Sequence, residues 1–316
     1  MLRAELPGAH EVGEPVAESG ESGPSRAETP LKRFVSLYAE SRLALVALAV
    51  LLLIVIAALA APWLAPQNPY DLEQLDILDA RLPPGEKSGA GMTFWLGADA
   101  QGRDMLSAIL YGLRISISVG AIATIAALAI GLSLGLIAAY AGGRTESLIM
   151  RVVDLQLSFP SILIALVLLA VVGQGVDKII IALITVQWAY YARTVRSSAL
   201  VERNKEYVDA ARCLRLSPAR VLFRHIMPNC LPPLIVVATV QIAHAIALEA
   251  TLSFLGLGLP ITQPSLGLLI ANGFSYMLSG KYWISFYPGV ALLVTIMAIN
   301  LVADQLRDVL NPRLAR

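Results

Sequence analysis

Leu43 to Ala61 is nineteen consecutive residues without a polar side chain. At about 1.5 Å of rise per residue, a helix of that length crosses a hydrocarbon core of about 30 Å. Inside lipid no water satisfies the backbone, so a spanning segment of this kind must be helical. Further apolar segments follow at Ile115–Tyr140, Val152–Val172, Ile179–Ala192, Leu231–Leu252 and Phe286–Ala303. The expected fold is an all-α integral membrane protein with six transmembrane helices and both termini on one side. A cleaved signal peptide is the competing reading of the first run, because Lys32-Arg33 precedes it and Ala60-Ala61 mimics a cleavage site. Signal cores are shorter and lie nearer the N-terminus, which favours a retained span. With 57% hydrophobic and 15% charged residues, the chain is too apolar for an ordinary soluble domain.

Orientation follows from Lys and Arg, which concentrate on the cytoplasmic side of membrane proteins. Arg3, Arg26, Lys32, Arg33 and Arg42 precede the first span, and Arg144 and Arg151 flank the turn after the second. Eight more lie between Arg193 and Arg224, and Arg307, Arg313 and Arg316 close the chain. That places 18 of 24 basic residues on one side, expected to be cytoplasmic, and both termini with them. The opposite loop, 62–111, is acidic, with Asp71, Glu73, Asp76, Asp79, Glu86, Asp99 and Asp104 against Arg81, Lys87 and Arg103. Residues 1–30, rich in Glu, Gly, Pro, Ser and Ala without apolar periodicity, are expected to be a disordered cytoplasmic tail.

Several chemistries have no residues to carry them. There is no Gly-x-x-x-x-Gly-Lys-Ser/Thr loop for ATP, no Gly-x-Ser-x-Gly elbow and no zinc-spaced His/Cys cluster. His10-Glu11 lacks a second histidine four residues on. A net charge of +1 without a basic stripe interleaved with aromatics gives no sign of nucleic acid. The two cysteines, Cys213 and Cys230, fall in or beside the basic loop and lack metal-ligand spacing. The chain is therefore expected not to be an enzyme and to hold no cofactor or metal of its own. Ionisable groups within spans are scarce. His244 and Glu249 share one apolar segment but lie about 140° apart around a helix, hence on different faces. Glu249 is expected about 30 Å along that helix from Asn229. It is either a functional carboxylate or a structural one bonded to backbone in the Gly-rich Ser253–Pro260 turn. A proton- or ion-coupled carrier needs more such groups, so the energy for transport is expected from outside the chain.

The segment that lipid cannot accept is the basic loop. Leu200–Arg215 reads as one helix carrying Glu206 and Asp209, then the small pair Ala210-Ala211. Ser217-Pro218 gives an N-cap and a proline at the first position of a second helix, expected to end at Pro228. In that second helix Arg220 and Arg224 share one stripe, Leu222 and Ile226 another. From the residues alone two readings stay open: an amphipathic hairpin on the lipid surface, or an element that docks onto another protein.

This loop resembles the coupling loop of ABC importer permeases, with its Glu-Ala-Ala…Gly…Ile-x-Leu-Pro signature. Asp209-Ala210-Ala211 match the acidic start and Ile226-Met227-Pro228 the hydrophobic-proline end. Arg215 stands where the family has glycine, so the left-handed turn is expected to fall instead at Leu216-Ser217. Leu96–Asp104 with Ser107 and Tyr111-Gly112, Arg151–Pro160, Glu249–Gly258 and Leu306–Arg313 are similar to segments of dipeptide, oligopeptide and nickel importer permeases, in the family's order. The resemblance runs from about Leu31 to Arg313 and points to the second of the two permease subunits.

What the resemblance implies is a type I importer fold organised as a tail (1–30), a first transmembrane helix with an extracytoplasmic loop (31–112), a permease domain (113–304) containing the coupling loop (200–228), and a cytoplasmic C-terminal tail (305–316). It implies a second homologous permease, two ATP-binding subunits that hold ATP and Mg, an extracytoplasmic substrate-binding protein and a place in the bacterial inner membrane. Tyr207, Asp209, Ala210, Ala211, Arg212, Leu214 and Ser217 would contact the ATPases. Pathway candidates are Gln156, Ser158 and Phe159, then Gln187, Trp188 and Tyr191, then Gln241, each equally readable as polar glue between helices. Peptides are the expected cargo. Glutathione, nickel chelates and oligosaccharides are alternatives, as are a self-powered secondary carrier and a membrane scaffold.

Overall fold

The computed structural model describes residues 30–310. The expected tail before them, and Pro312, Arg313 and Arg316 after them, lie outside the described residues. Every regular element is helical, and among the described residues only isolated bridges, Lys87 with Thr93 and Ala98 with Asp104, stand in for β-structure. A short helix α1 (Pro30–Ala39) leads into α2 (Arg42–Leu59), whose first turn is capped by the Ser41 hydroxyl accepting from the Ala44 N–H at 3.3 Å. The short α3 (Ala61–Leu64) opens the loop to Asp104, and α4 (Met105–Ala141) then runs 37 residues. Next come α5 (Gly143–Leu157), α6 (Ser161–Val172), α7 (Val176–Arg203) and α8 (Glu206–Cys213). The chain closes with α9 (Pro218–Arg220), a π-helical turn (Val221–Ile226), α10 (Met227–Phe254), α11 (Leu266–Phe274) and α12 (Trp283–Leu310).

Four helical stretches, Arg42–Leu59, Met105–Ala141, Pro218–Phe254 and Trp283–Leu310, are long and apolar enough to cross a membrane. The apolar run at Val152–Val172 is not the single straight helix expected. It breaks between α5 and α6 with a bend of 88°, because Pro160 disfavours helical backbone at Phe159 and itself takes an extended ψ of 126°. Counted as one, that bent pair gives a fifth span. α7 has the length but carries charge at both ends, leaving only residues 179–192 uncharged. α12 continues through residue 305 without a break.

Packing centres on α4 against α7. Gly131 and Gly135, one helical turn apart on α4, lie so close to α7 that a Cβ there would sit 2.6 Å from the carbonyls of Trp188 and Ala192 respectively. Small residues at this spacing let two backbones meet and gain dispersion contacts that lipid cannot replace. α10 crosses α4, α7 and α12, and α2 covers α4 and α12. Large apolar side chains such as Leu53 and Val171 stay exposed on the periphery, as lipid-facing helices require.

Candidate functional site

At one end of the bundle, α8 stands apart from α7. The expected single helix Leu200–Arg215 breaks at Asn204-Lys205, which puts Glu206 at the start of α8 rather than mid-helix. Val208 and Ala211 face inward onto an apolar cluster with Val221, Ile226, Cys230 and Leu234, flanked by Leu216. Ala211 is thus buried against its own chain, which corrects its expected place on the contact surface. Asp209, Ala210, Arg212, Leu214 and Ser217 are exposed, Leu214 at 75% of its full area. Arg212 and Asp209 pair at 3.2 Å on that open face.

The helix ends in a Schellman motif. Arg215 N–H bonds the Arg212 carbonyl at 2.9 Å and Leu216 N–H bonds the Ala211 carbonyl at 3.2 Å. The left-handed residue is Arg215 itself, at φ +53°. The turn therefore stays where the family has glycine and does not move to Leu216-Ser217, since these two hydrogen bonds fix which residue must invert. The second helix also runs on past its expected end. Pro228 falls in the first turn of α10, where a missing N–H is tolerated. The wide turn before it closes with Met227 N–H on the Leu222 carbonyl, five residues back, and takes up the change in winding. Arg220 and Arg224 stay exposed while Ile226 is buried.

A polar network joins α8 to its neighbours through Tyr207, a candidate from the sequence, and Glu202 and Asn229, which were not candidates. The Tyr207 hydroxyl donates to Glu202 Oε2 at 2.6 Å and accepts from Asn229 Nδ2 at 3.2 Å. The same Asn229 amide donates to the His225 carbonyl at 2.7 Å, and Lys205 Nζ bonds Glu202 Oε1 at 2.6 Å. Burial and the adjacent Glu202 carboxylate push the Tyr207 hydroxyl up to about 12, which keeps it protonated and donating. Tyr207 lies on α8, Glu202 on α7 and Asn229 on α10, so one phenol ties three helices.

Glu202 and Asn229 also line a groove of about 990 Å³ between α7, α10 and α12. Its wall includes Tyr190, Thr194 and Ser198 from α7, Pro232 and Gln241 from α10, and Arg307 from α12. Of the seven pathway candidates Gln241 alone is among its lining residues. Gln187 and Tyr191 are wholly buried, and Trp188 is half-buried. Gln187 Nε2 donates to the Gln241 carbonyl at 3.0 Å, and the close approach at Gly131 and Gly135 covers Tyr191. On α7 the groove is lined by Tyr190, Thr194 and Ser198, one position round from Gln187 and Tyr191. The Gln156 amide is spent on the backbone carbonyls of Thr185 and Val186, and the Ser158 hydroxyl on the Asp154 carbonyl at 2.7 Å. Phe159 is exposed at the bend.

Glu249 lies at the other end of α10 and is fully buried. Its carboxylate accepts from the hydroxyls of Ser116 on α4 and Ser253 on α10, both at 2.8 Å. It is bonded to serine side chains, where the structural one of its two readings had backbone of the Gly-rich turn. His244 is exposed, so the two do share no face. Among the described residues no cluster of His, Cys, Asp or Glu has a geometry that could hold a metal ion.

Comparison with known proteins places this architecture. Residues 131–316 match the family described as binding-protein-dependent transport system inner membrane component, and residues 29–84 match the N-terminal TM domain of oligopeptide transport permease C. The di/tripeptide transport system permease protein DppC of Pseudomonas aeruginosa (strain UCBPP-PA14) is 38% identical over 286 residues, 90% of this chain and 93% of that protein. The dipeptide transport system permease protein DppC of Escherichia coli (strain K12) is 40% identical over 287 residues, covering 90% and 94%. An inward-facing structure of the MetNI methionine ABC transporter shares the fold, with a TM-score of 0.54 at 18% identity over 66% of this chain and 98% of that one. The fold is that of a type I ABC importer permease, and the chain belongs to the family of binding-protein-dependent transport system inner membrane components.

Proposed function

We propose that this chain is the second permease subunit of an ATP-driven importer of di- or oligopeptides. It spans the inner membrane six times with both termini in the cytoplasm. It pairs with a homologous permease and receives peptide from an extracytoplasmic binding protein. Two ATPase subunits, which hold the ATP and Mg, lie beneath α8. The peptide assignment draws on the names of the DppC relatives, and the orientation on the basic residues around α8.

The observation that carries the reading is α8 itself: a short helix at one end of the bundle, buried on Val208 and Ala211 and open on Asp209, Ala210, Arg212 and Leu214. An exposed leucine beside a methyl-sized residue and a pair of charges suits a protein groove better than bulk water. Tyr207 and Ser217 flank that face. The groove between α7, α10 and α12 is this chain's share of the pathway, with Gln241 on its wall; the buried Gln187 and Tyr191 support that wall from behind.

Ala210→Glu puts a charge on the open face without touching the buried one. In proteoliposomes of the assembled transporter it is expected to abolish peptide-stimulated ATP hydrolysis and uptake of a labelled dipeptide, with membrane insertion intact. Normal transport by that variant overturns the docking reading. Uptake by this chain alone, without ATPase partners, favours a self-powered carrier instead.

A further inference from the structure

We propose that Tyr207 is a positioning residue that transmits movement of α8 to the groove, through a clasp made with Glu202 and Asn229. The inference rests on the reading of α8 as the ATPase-facing element and adds how its displacement reaches the pathway.

Two kinds of contact hold α8 to the bundle. The apolar one, Val208 and Ala211 against Val221, Ile226 and Cys230, is non-directional and involves mostly small side chains. Such a contact tolerates sliding. The polar one is directional. A single hydroxyl is held at 2.6 Å by Glu202 on α7 and at 3.2 Å by Asn229 on α10. Both partners line the groove, Glu202 from α7 and Asn229 from α10. A shift of α8 that preserves these bonds must therefore alter the spacing of α7 and α10 where they frame the groove.

The backbone around the clasp is built to yield. Asn204-Lys205 alone separates α7 from α8, so α8 pivots close to Glu202. Four residues before Asn229 is His225, in the wide turn Val221–Ile226, whose carbonyl the Asn229 amide holds at 2.7 Å. Single π-type turns of this kind recur at functional positions within helices because their looser winding accepts a change of register. Beyond it, Pro232 and Pro233 carry no N–H, so the carbonyl of Pro228 has neither an α-type nor a π-type backbone donor. Regular α-type hydrogen bonding is thus interrupted on both sides of the residue that the clasp grips.

The clasp permits a clean test, because Glu202 keeps Lys205 at 2.6 Å and Asn229 keeps the His225 carbonyl when the phenol oxygen is removed. Tyr207→Phe deletes one oxygen and leaves no buried charge unpaired. In proteoliposomes of the full transporter, labelled dipeptide uptake and ATP hydrolysis are measured on the same vesicles. The peptide delivered per ATP hydrolysed is expected to fall about tenfold, the factor carried by one hydrogen bond to a charged acceptor. Glu202→Gln is expected to act in the same direction. The double variant should be no worse than the more severe single one, as for two residues of one unit. An unchanged ratio, whether uptake and hydrolysis are both normal or both reduced in parallel, overturns the proposal. Losses that multiply in the double variant overturn it as well. The docking reading fails separately, through normal transport by Ala210→Glu, a result that leaves the Tyr207→Phe ratio to be read by itself.

Discussion

The two polar ends of this bundle are built on opposite plans. In the 62–104 loop one charged pair, Asp99 with Arg103, is turned inward and closed on itself. Asp99 accepts from Arg103 Nε at 2.6 Å and from the N–H groups of Gln101 and Arg103 at 2.8 and 2.9 Å, with side-chain exposures of only 1% and 2% for Asp99 and Arg103. The guanidinium also reaches Gln101 Oε1 at 2.9 Å, and Trp283 Nε1 bonds the Ala98 carbonyl at 3.2 Å, tying the loop to α12. Around α8, Glu202 with Lys205 apart, the ion pairs reach solvent: Asp209 with Arg212 and Asp154 with Arg193 are largely exposed, and Glu146 with Arg196 partly so. A network satisfied in the interior fixes one geometry, whereas exposed pairs contribute little and leave their groups free to rearrange. One end holds its shape through its own contacts, and the other leaves its charged face open.

The largest test of that contrast is Asp99→Ala. It leaves the Arg103 guanidinium buried without its counter-charge, a change that costs about 3–5 kcal/mol. The detergent-solubilised transporter should show a strongly lowered unfolding temperature for this chain. The matched change at the other end, Asp209→Ala, removes half of an exposed pair and should stay within about 0.5 kcal/mol of wild type. Equal losses at the two sites would erase the distinction. A large loss at Asp209 alone would mean that the α8 face is already buried in the assembly, which sharpens the comparison into one between intrachain and intersubunit closure.

How much of this was legible in the sequence depends on how local each determinant is. Four of the six expected membrane helices were, because lipid leaves an apolar run of twenty residues one way to satisfy its backbone. Charge that lipid cannot accept likewise marked 193–224 as a segment distinct from the apolar runs. The break in the third segment had its signal in Pro160, which the hydropathy of Val152–Val172 concealed. The face of α7 was not legible. Whether Tyr190 or Tyr191 meets the groove depends on Gly131 and Gly135, about sixty residues earlier on another helix, and a rotation of one position leaves the hydropathy pattern intact. The clasp was hidden for the same reason: Glu202, Tyr207 and Asn229 look like ordinary polar residues of a solvated loop until α7, α8 and α10 are placed together. Buried pairs such as Asp99 with Arg103 are equally silent in an acidic loop.

The smallest predicted effect concerns Arg215. Its φ of +53° is unfavourable for any residue with a Cβ, by about 1 kcal/mol, yet the Schellman hydrogen bonds at Arg212 and Ala211 require inversion there. Arg215→Gly relieves that strain, partly offset by the greater freedom of glycine in the unfolded chain. The net gain should be about 0.5 kcal/mol, read as a slight rise in unfolding temperature. Arg215→Ala keeps the Cβ and should show no gain, which separates backbone strain from loss of charge. Uptake then tells what the arginine is for. If both variants transport normally, the strain is tolerated because nothing selects against it. If both lose transport while Arg215→Gly gains stability, the side chain is held in a costly conformation because its charge contacts a partner on the open end of the bundle. That outcome would extend the contrast between the two ends to a single residue, strained in this chain and satisfied only in the assembly.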